Sequence, residues 1–196
     1  MKQDTPGAVR RRGAALEDAL LRAAWDELLE TGYAGFTIEG VAERAQTSRP
    51  VLYRRWPNRS DLVIAAIAHY GAIDAVTVPD TGNLRDDLVE FMRAVSVKRA
   101  ELAVLFSVQM GQYYTEMKSS MADVRDHLVR GRPLTSDEIM RRGVERGEID
   151  PAKLTPRIAT LPFDLLRHEL MMTLQPVPDQ VIVEIVDTIF LPLVAP

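Results

Sequence analysis

Five arginines, at positions 44, 49, 54, 55 and 59, fall within a stretch of sixteen residues that holds no carboxylate. Guanidinium groups at this density do the chemistry of polyanion capture. They attract phosphate oxygens, and one that reaches a base edge grips guanine by two parallel hydrogen bonds. The residues around them, Thr37 to Trp56, read as two short helices about a tight turn. Thr37 is a candidate N-cap for a helix whose Ile38, Val41, Ala42 and Ala45 recur at three- and four-residue steps. Gln46-Thr47 breaks that pattern. Ser48 then caps a second helix, with Pro50 in its first turn, where a missing N–H costs nothing. A cationic surface on a short helix after a tight turn is what insertion into a DNA major groove requires.

The roles within this stretch follow from position. Thr47 and Arg49, at the leading edge of the second helix, are the expected base contacts, with Arg49 able to pair with guanine through two donors. Thr37 and Ser48 are caps whose hydroxyls also suit phosphate. Pro50 and Val51 either touch a thymine methyl or only shape the helix. Tyr53 and Arg54 suit phosphate positions, and Arg44, Arg55 and Arg59 are either solvated surface charges or, since no carboxylate lies between positions 44 and 59, groups that attract phosphate. Leu52 and Trp56 read as core.

Other chemistries find little footing. The chain has no cysteine, and its three histidines, at 69, 127 and 168, form no His-x-x-x-His pair. It has no glycine-rich phosphate loop and no nucleophile elbow. No catalytic residue, metal site or cofactor is expected. The longest apolar runs fall far short of the ~20 residues a membrane helix needs, and no apolar core follows the charged N-terminus. A cytoplasmic protein is the expectation. The net charge of −4 conceals an asymmetry: residues 1–60 carry ten Lys/Arg and eight Asp/Glu, whereas residues 61–196 carry fourteen and twenty.

These positions need a scaffold. Leu16, Leu20, Ala23, Ala24 and Leu28 make a helix of about residues 14–31, and Gly32 ends it. Residues 1–12 contain Pro, Gly and a basic triplet, and read as a flexible arm, either a solubilising tail or a contact to DNA. Residues 13–60 would be the helix-turn-helix domain, and residues 61–196 a larger regulatory, ligand-binding and dimerisation domain. Its first helix carries Leu62, Val63, Ala66, Ile67 and Tyr70, with Ser60 as cap. Apolar periodicity continues over Leu84–Val95, Leu102–Tyr114, Met117–Leu128, Ser136–Val144, Pro156–Leu174 and Pro178–Leu193. Gly131–Pro133 interrupts one of these helices. The fold expected is all-α, with about nine helices.

Two surfaces of the larger domain stand out. The last two helices are apolar on more than one face, which points to a homodimer interface made by Leu161, Leu165, Met172, Ile182, Ile185, Val186 and Ile189. Bulky or soft side chains gather on helices about the domain centre: Phe91, Met92, Val95, Phe106, Gln109, Met110, Tyr113, Phe163, Arg167 and Met171. For any one of them ordinary core is the simpler reading. Together they suit an adaptable, partly hydrophobic ligand cavity.

Over residues 14–65 the sequence resembles the TetR family of bacterial transcriptional regulators. The matching positions are Gly32-Tyr33, Phe36-Thr37, Val41-Ala42 with Ala45, Ser48, Leu52-Tyr53 and the aromatic Trp56. The resemblance implies a DNA-binding regulator, most often a repressor, that dimerises through its last two helices and releases a palindromic operator on binding a small effector. One departure matters. The family's Gly-Val in the turn is Gln46-Thr47 here, so the turn forms without glycine or Gln46 takes a left-handed conformation at some cost. Gly40, inside a helix, is a second oddity. An all-helical carrier or protein-interaction module, without DNA binding, is the alternative function.

Overall fold

The computed structural model describes residues 13–73, 76–124 and 135–196. The arm 1–12, His127, Leu128 and the Gly131–Pro133 interruption lie outside them. All regular structure among the described residues is helical. They form two compact units, Met1–Ala72 and Ile73–Pro196.

The first unit holds α1 (Ala14–Gly35), α2 (Ile38–Arg44), α3 (Arg49–Tyr53) and α4 (Arg59–Ile73). Gly32 interrupts α1 with φ 63° and ψ 176°, a backbone only glycine takes without cost, and one further turn follows it. The periodic residues of each helix meet in one core. Leu20, Leu28, Tyr33, Val41, Leu52 and Leu62 are each 0% exposed. Trp56 is buried with them.

The unit boundary at 72/73 differs from the 60/61 division expected from the sequence, because α4 packs against α1. Trp25 stacks on Tyr70 with ring centroids 3.9 Å apart. His69 Nε2 and Asp18 Oδ1 lie 2.9 Å apart. Ser60 is not the cap of α4. It is buried against the Tyr33 hydroxyl at 2.8 Å. Asn58 caps instead, its Oδ1 accepting from Asp61 N at 2.9 Å while its side-chain amide donates to Asp61 Oδ2.

The second unit contains α5 (Leu84–Val104), α6 (Gly111–Met117), α7 (Thr135–Glu145), α8 (Pro156–Thr173) and α9 (Asp179–Glu184). Two segments wind more widely, with the i→i+5 pattern of a π-helix: Leu105–Gln109 between α5 and α6, and Ile185–Phe190, which leads from α9 into the final turn Leu191–Val194. The core gathers Leu84, Leu88 and Met92 of α5, Ile139 of α7, Leu166 of α8, and Ile182, Val186, Phe190 and Val194. Polar ties cross it. Arg85 grips Asp187 through two bonds of 2.7 and 2.8 Å, Arg93 pairs with Asp179, and the buried Ser96 hydroxyl accepts from Val177 N at 2.7 Å.

The best-buried charge among the described residues of this unit is Asp87, whose side chain is 0% exposed. Burial pushes its carboxyl up. The Thr81 backbone N–H at 2.6 Å, the Thr81 hydroxyl at 2.8 Å and the Arg146 guanidinium at 3.0 Å outweigh that and hold it below the ordinary carboxylate range. Arg146 also donates to Glu148, which in turn accepts from Leu84 N. This network joins the Thr81 loop, the start of α5 and the chain after α7.

Candidate nucleic-acid interface

The turn between α2 and α3 answers the question that its missing glycine raises. Gln46 has φ 51°, in the left-handed region. Its N–H donates to Glu43 O at 3.0 Å, and Thr47 N–H donates to Ala42 O at 2.9 Å. This is the paired Schellman arrangement that ends helices on a left-handed residue. Glutamine pays the Cβ penalty that glycine avoids. Gln46→Gly is therefore expected to stabilise the unit by about 1 kcal/mol, which thermal unfolding followed by far-ultraviolet circular dichroism measures directly.

Gly40 has a different reason. A Cβ there would lie 2.1 Å from Glu27 Oε1 and 2.7 Å from its Cδ. The absent side chain admits a carboxylate that is itself buried. Glu27 and Glu30 both receive the Arg44 guanidinium, with Glu27 Oε2 at 3.3 Å from Nη2. A helix interior that forgoes ~1 kcal/mol of propensity by using glycine thus seats an ion pair between α1 and α2.

Thr37 caps α2 as its position suggests, Oγ1 accepting from Gly40 N at 3.0 Å. Ser48 occupies the N-cap position of α3 with extended backbone, but its side chain makes no capping bond. Its exposed hydroxyl remains available to a ligand. Thr47 is half-buried, and Arg49, Pro50, Tyr53, Arg54 and Arg55 are exposed, Tyr53 to 47%. Leu52 faces inward at 0%. The helix thus divides into an anchoring side and a presented side.

The arginines are less alike in space than in sequence. Arg44 is held by Glu27 and Glu30. Arg59 lies over the Tyr33 ring, 4.4 Å from its centroid. Arg55 Nη1 donates to Val51 O at 3.4 Å. Arg49 Nη1 donates to Glu39 Oε1 at 2.8 Å. The stretch is acid-free along the chain, yet three carboxylates reach it from α1 and α2.

In the second unit, Phe91 and Met92 are core, and Val95 and Phe163 pack against that core. Phe91 and Phe163 meet edge to face at 5.8 Å. Met110 and Tyr113 are buried, while Phe106, Gln109 and Met171 are half-buried. Tyr114 is pushed up to about 12 by burial and the neighbouring Tyr113, and its hydroxyl donates to Phe106 O at 3.2 Å. Gln109 Oε1 is buried and has no hydrogen-bond partner among the described residues. Arg167 departs from the expected lining: it is 42% exposed and paired with Asp164 at 2.7 Å.

The expected dimer residues divide. Ile182, Ile185 and Val186 are 1, 4 and 0% exposed and belong to the protomer's own core, so they cannot meet a partner. Their helix is covered on several sides by α5 and α8, which accounts for its excess of apolar residues. Met172 is 71% exposed and Ile189 37%, and Leu193, which the sequence reading passed over, is 42% exposed. Leu161 and Leu165 are half-buried.

A helix-turn-helix with a presented second helix, followed along the chain by a separate helical unit, defines a transcriptional regulator of the helix-turn-helix class. Residues 20–66 match the family described as bacterial regulatory proteins, tetR family, and residues 78–189 match the tetracyclin repressor-like C-terminal domain. The chain belongs to the TetR family. It is 30% identical over 185 residues to a DNA-binding transcriptional repressor TetR of Mycobacteroides abscessus, covering 94% of this chain and 97% of that one. It is also 30% identical over 187 residues to the uncharacterized HTH-type transcriptional regulator Mb1581 of Mycobacterium bovis, covering 90% and 86%. Among solved structures, the TetR family transcription regulator SCO0332 superposes with a TM-score of 0.65 at 24% identity, over 92% of this chain and 99% of that one. FadR from Bacillus subtilis, solved in complex with stearoyl-CoA, gives 0.61 at 16% identity, over 87% and 98%. No helix among the described residues is long and apolar enough to cross a membrane.

Proposed function

We propose that this regulator is a repressor that binds a palindromic operator as a homodimer and leaves it when a small molecule binds the second unit. The observation that carries the DNA half of this reading is the division of α3. Leu52 anchors it, while Ser48, Arg49, Pro50, Tyr53 and Arg54 are presented together without a covering element from their own unit. Thr47, Arg49, Pro50 and Val51 supply the base contacts, and Thr37, Ser48, Tyr53 and Arg54 supply the phosphate contacts. Arg44 and Arg59 serve the fold first, since each already has a partner within the unit.

Two-fold symmetry sets half-sites ~34 Å apart or somewhat more. A ligand moves the equilibrium off DNA only by its differential affinity for the two forms. Gln109, with its buried acceptor beside Met110 and Tyr113, supports a partly hydrophobic effector carrying a hydrogen-bond donor. The solved relative bound to stearoyl-CoA supports an effector with a substantial apolar part.

Arg54 offers the simplest test, because its guanidinium is exposed and makes no bond among the described residues. Arg54→Ala is expected to weaken binding to every duplex and to lower the log–log salt slope by ~0.9 per protomer, with an unchanged melting temperature. Fluorescence anisotropy across a salt series reads both. An unchanged slope removes Arg54 from the interface.

A further inference from the structure

Glu39 is an odd residue to find on this face. It sits between the buried Ile38 and the close-packed Gly40, and its side chain is 54% exposed. An exposed carboxylate here repels the phosphates that Arg54 and Ser48 are placed to meet. An isolated surface ion pair contributes little to stability, so stability is a weak reason for it. What the carboxylate does structurally is specific: Oε1 takes Arg49 Nη1 at 2.8 Å, across from α2 to α3. The remaining donors of Arg49, Nε and Nη2, make no bond within the chain among the described residues. Those two form the side-by-side edge that spans guanine O6 and N7.

Both ends of the pair are fixed by packing. α2 is anchored through Ile38 and Val41, at 4 and 0% exposure, and α3 through Leu52 at 0%. An unpaired arginine has five donors and many rotamers, and it serves a phosphate as readily as a base. An arginine held at one terminal nitrogen presents its other edge in one orientation, and a fixed orientation is what base discrimination needs.

We infer that Glu39 is a specificity-determining positioning residue: it holds Arg49 by one terminal nitrogen so that Nε and Nη2 read guanine, and it lowers general affinity for DNA in doing so. This inference rests on the DNA-reading function proposed above. It assigns Glu39 opposite effects on two quantities, which no purely structural role does. Removing its charge weakens discrimination while strengthening binding to unrelated sequence.

The full-length protein is used to enrich a preferred duplex from a randomised pool. Anisotropy titrations at fixed salt then compare that duplex, its single-base variants and a scrambled duplex for the wild type, Glu39→Gln, Arg49→Ala and Arg49→Lys. The wild type is expected to prefer guanine at one position in each half-site, and both Arg49 variants to lose that preference. Glu39→Gln is expected to reduce the guanine preference about tenfold and to bind the scrambled duplex several-fold tighter, with an unchanged melting temperature. Full guanine discrimination in Glu39→Gln overturns the inference. An equal loss of affinity for all duplexes also overturns it, since that marks a structural role. If Arg49→Ala keeps every base preference, Arg49 reads no base and the inference fails, while the DNA-binding function stands. If the wild type enriches no sequence at all, the function itself fails and the inference with it.

Discussion

Asp87→Asn is expected to cost the second unit about 2–4 kcal/mol of stability, a large share of what a domain of this size possesses. The carboxylate is fully buried and accepts from Thr81 twice and from Arg146 once. Asparagine preserves the shape but removes the charge, and it presents an amide group where an oxygen accepted. The upper end of the range for breaking a buried pair is discounted because Arg146 is 25% exposed and keeps Glu148 as a second partner. Urea denaturation monitored at several wavelengths measures the loss. The pH dependence carries a further signature. The folded carboxyl is held below its ordinary range, so its stabilisation is fully present above that range and is lost as pH falls from there through the lower folded value. The wild type should lose stability on acidification below about pH 4, and Asp87→Asn should lose less over the same interval. Parallel pH profiles would remove Asp87 from the account.

The second large effect concerns assembly. Charging Met172 and Ile189, which are 71% and 37% exposed, places carboxylates on the apolar surface of α8 and the C-terminal helix without touching the protomer core. Met172→Asp with Ile189→Asp is expected to give a monomer by sedimentation equilibrium. Operator affinity should fall by about a hundredfold or more, because two linked recognition helices gain affinity that a single one lacks. Charging Val97, which is 68% exposed on α5, is the matched control and should leave the assembly intact. A double variant that remains dimeric would move the interface elsewhere.

Much of this architecture was legible before any coordinates. Three- and four-residue apolar spacing marked the core sides of the helices, and the replacement of glycine at Gln46 left two ways to make the turn, of which the left-handed conformation is the one it contains. What periodicity cannot supply is the identity of the neighbour that covers a face. Ile182, Ile185 and Val186 looked like surplus apolar surface awaiting a partner, yet α5 and α8 of the same chain bury them. The arginine cluster misled in the same way. Glu27 lies seventeen residues from Arg44, and Glu39 ten from Arg49, so a window along the chain finds no acid where the fold brings three. Ser60 was a sound cap by type, but Asn58 reaches Asp61 N and leaves Ser60 to Tyr33.

We propose that α3, presented by its own unit, reads DNA in this protein. The direct measurement is an anisotropy titration of the full-length wild type against duplexes from the region upstream of its own gene and against a scrambled duplex, from 50 to 200 mM salt as in the general range over which phosphate contacts are read. The expected result is selective binding to one upstream segment with two-fold symmetry, with an affinity that falls steeply and linearly on log–log axes as salt rises. Equal binding to both duplexes, or binding indifferent to salt, would contradict it.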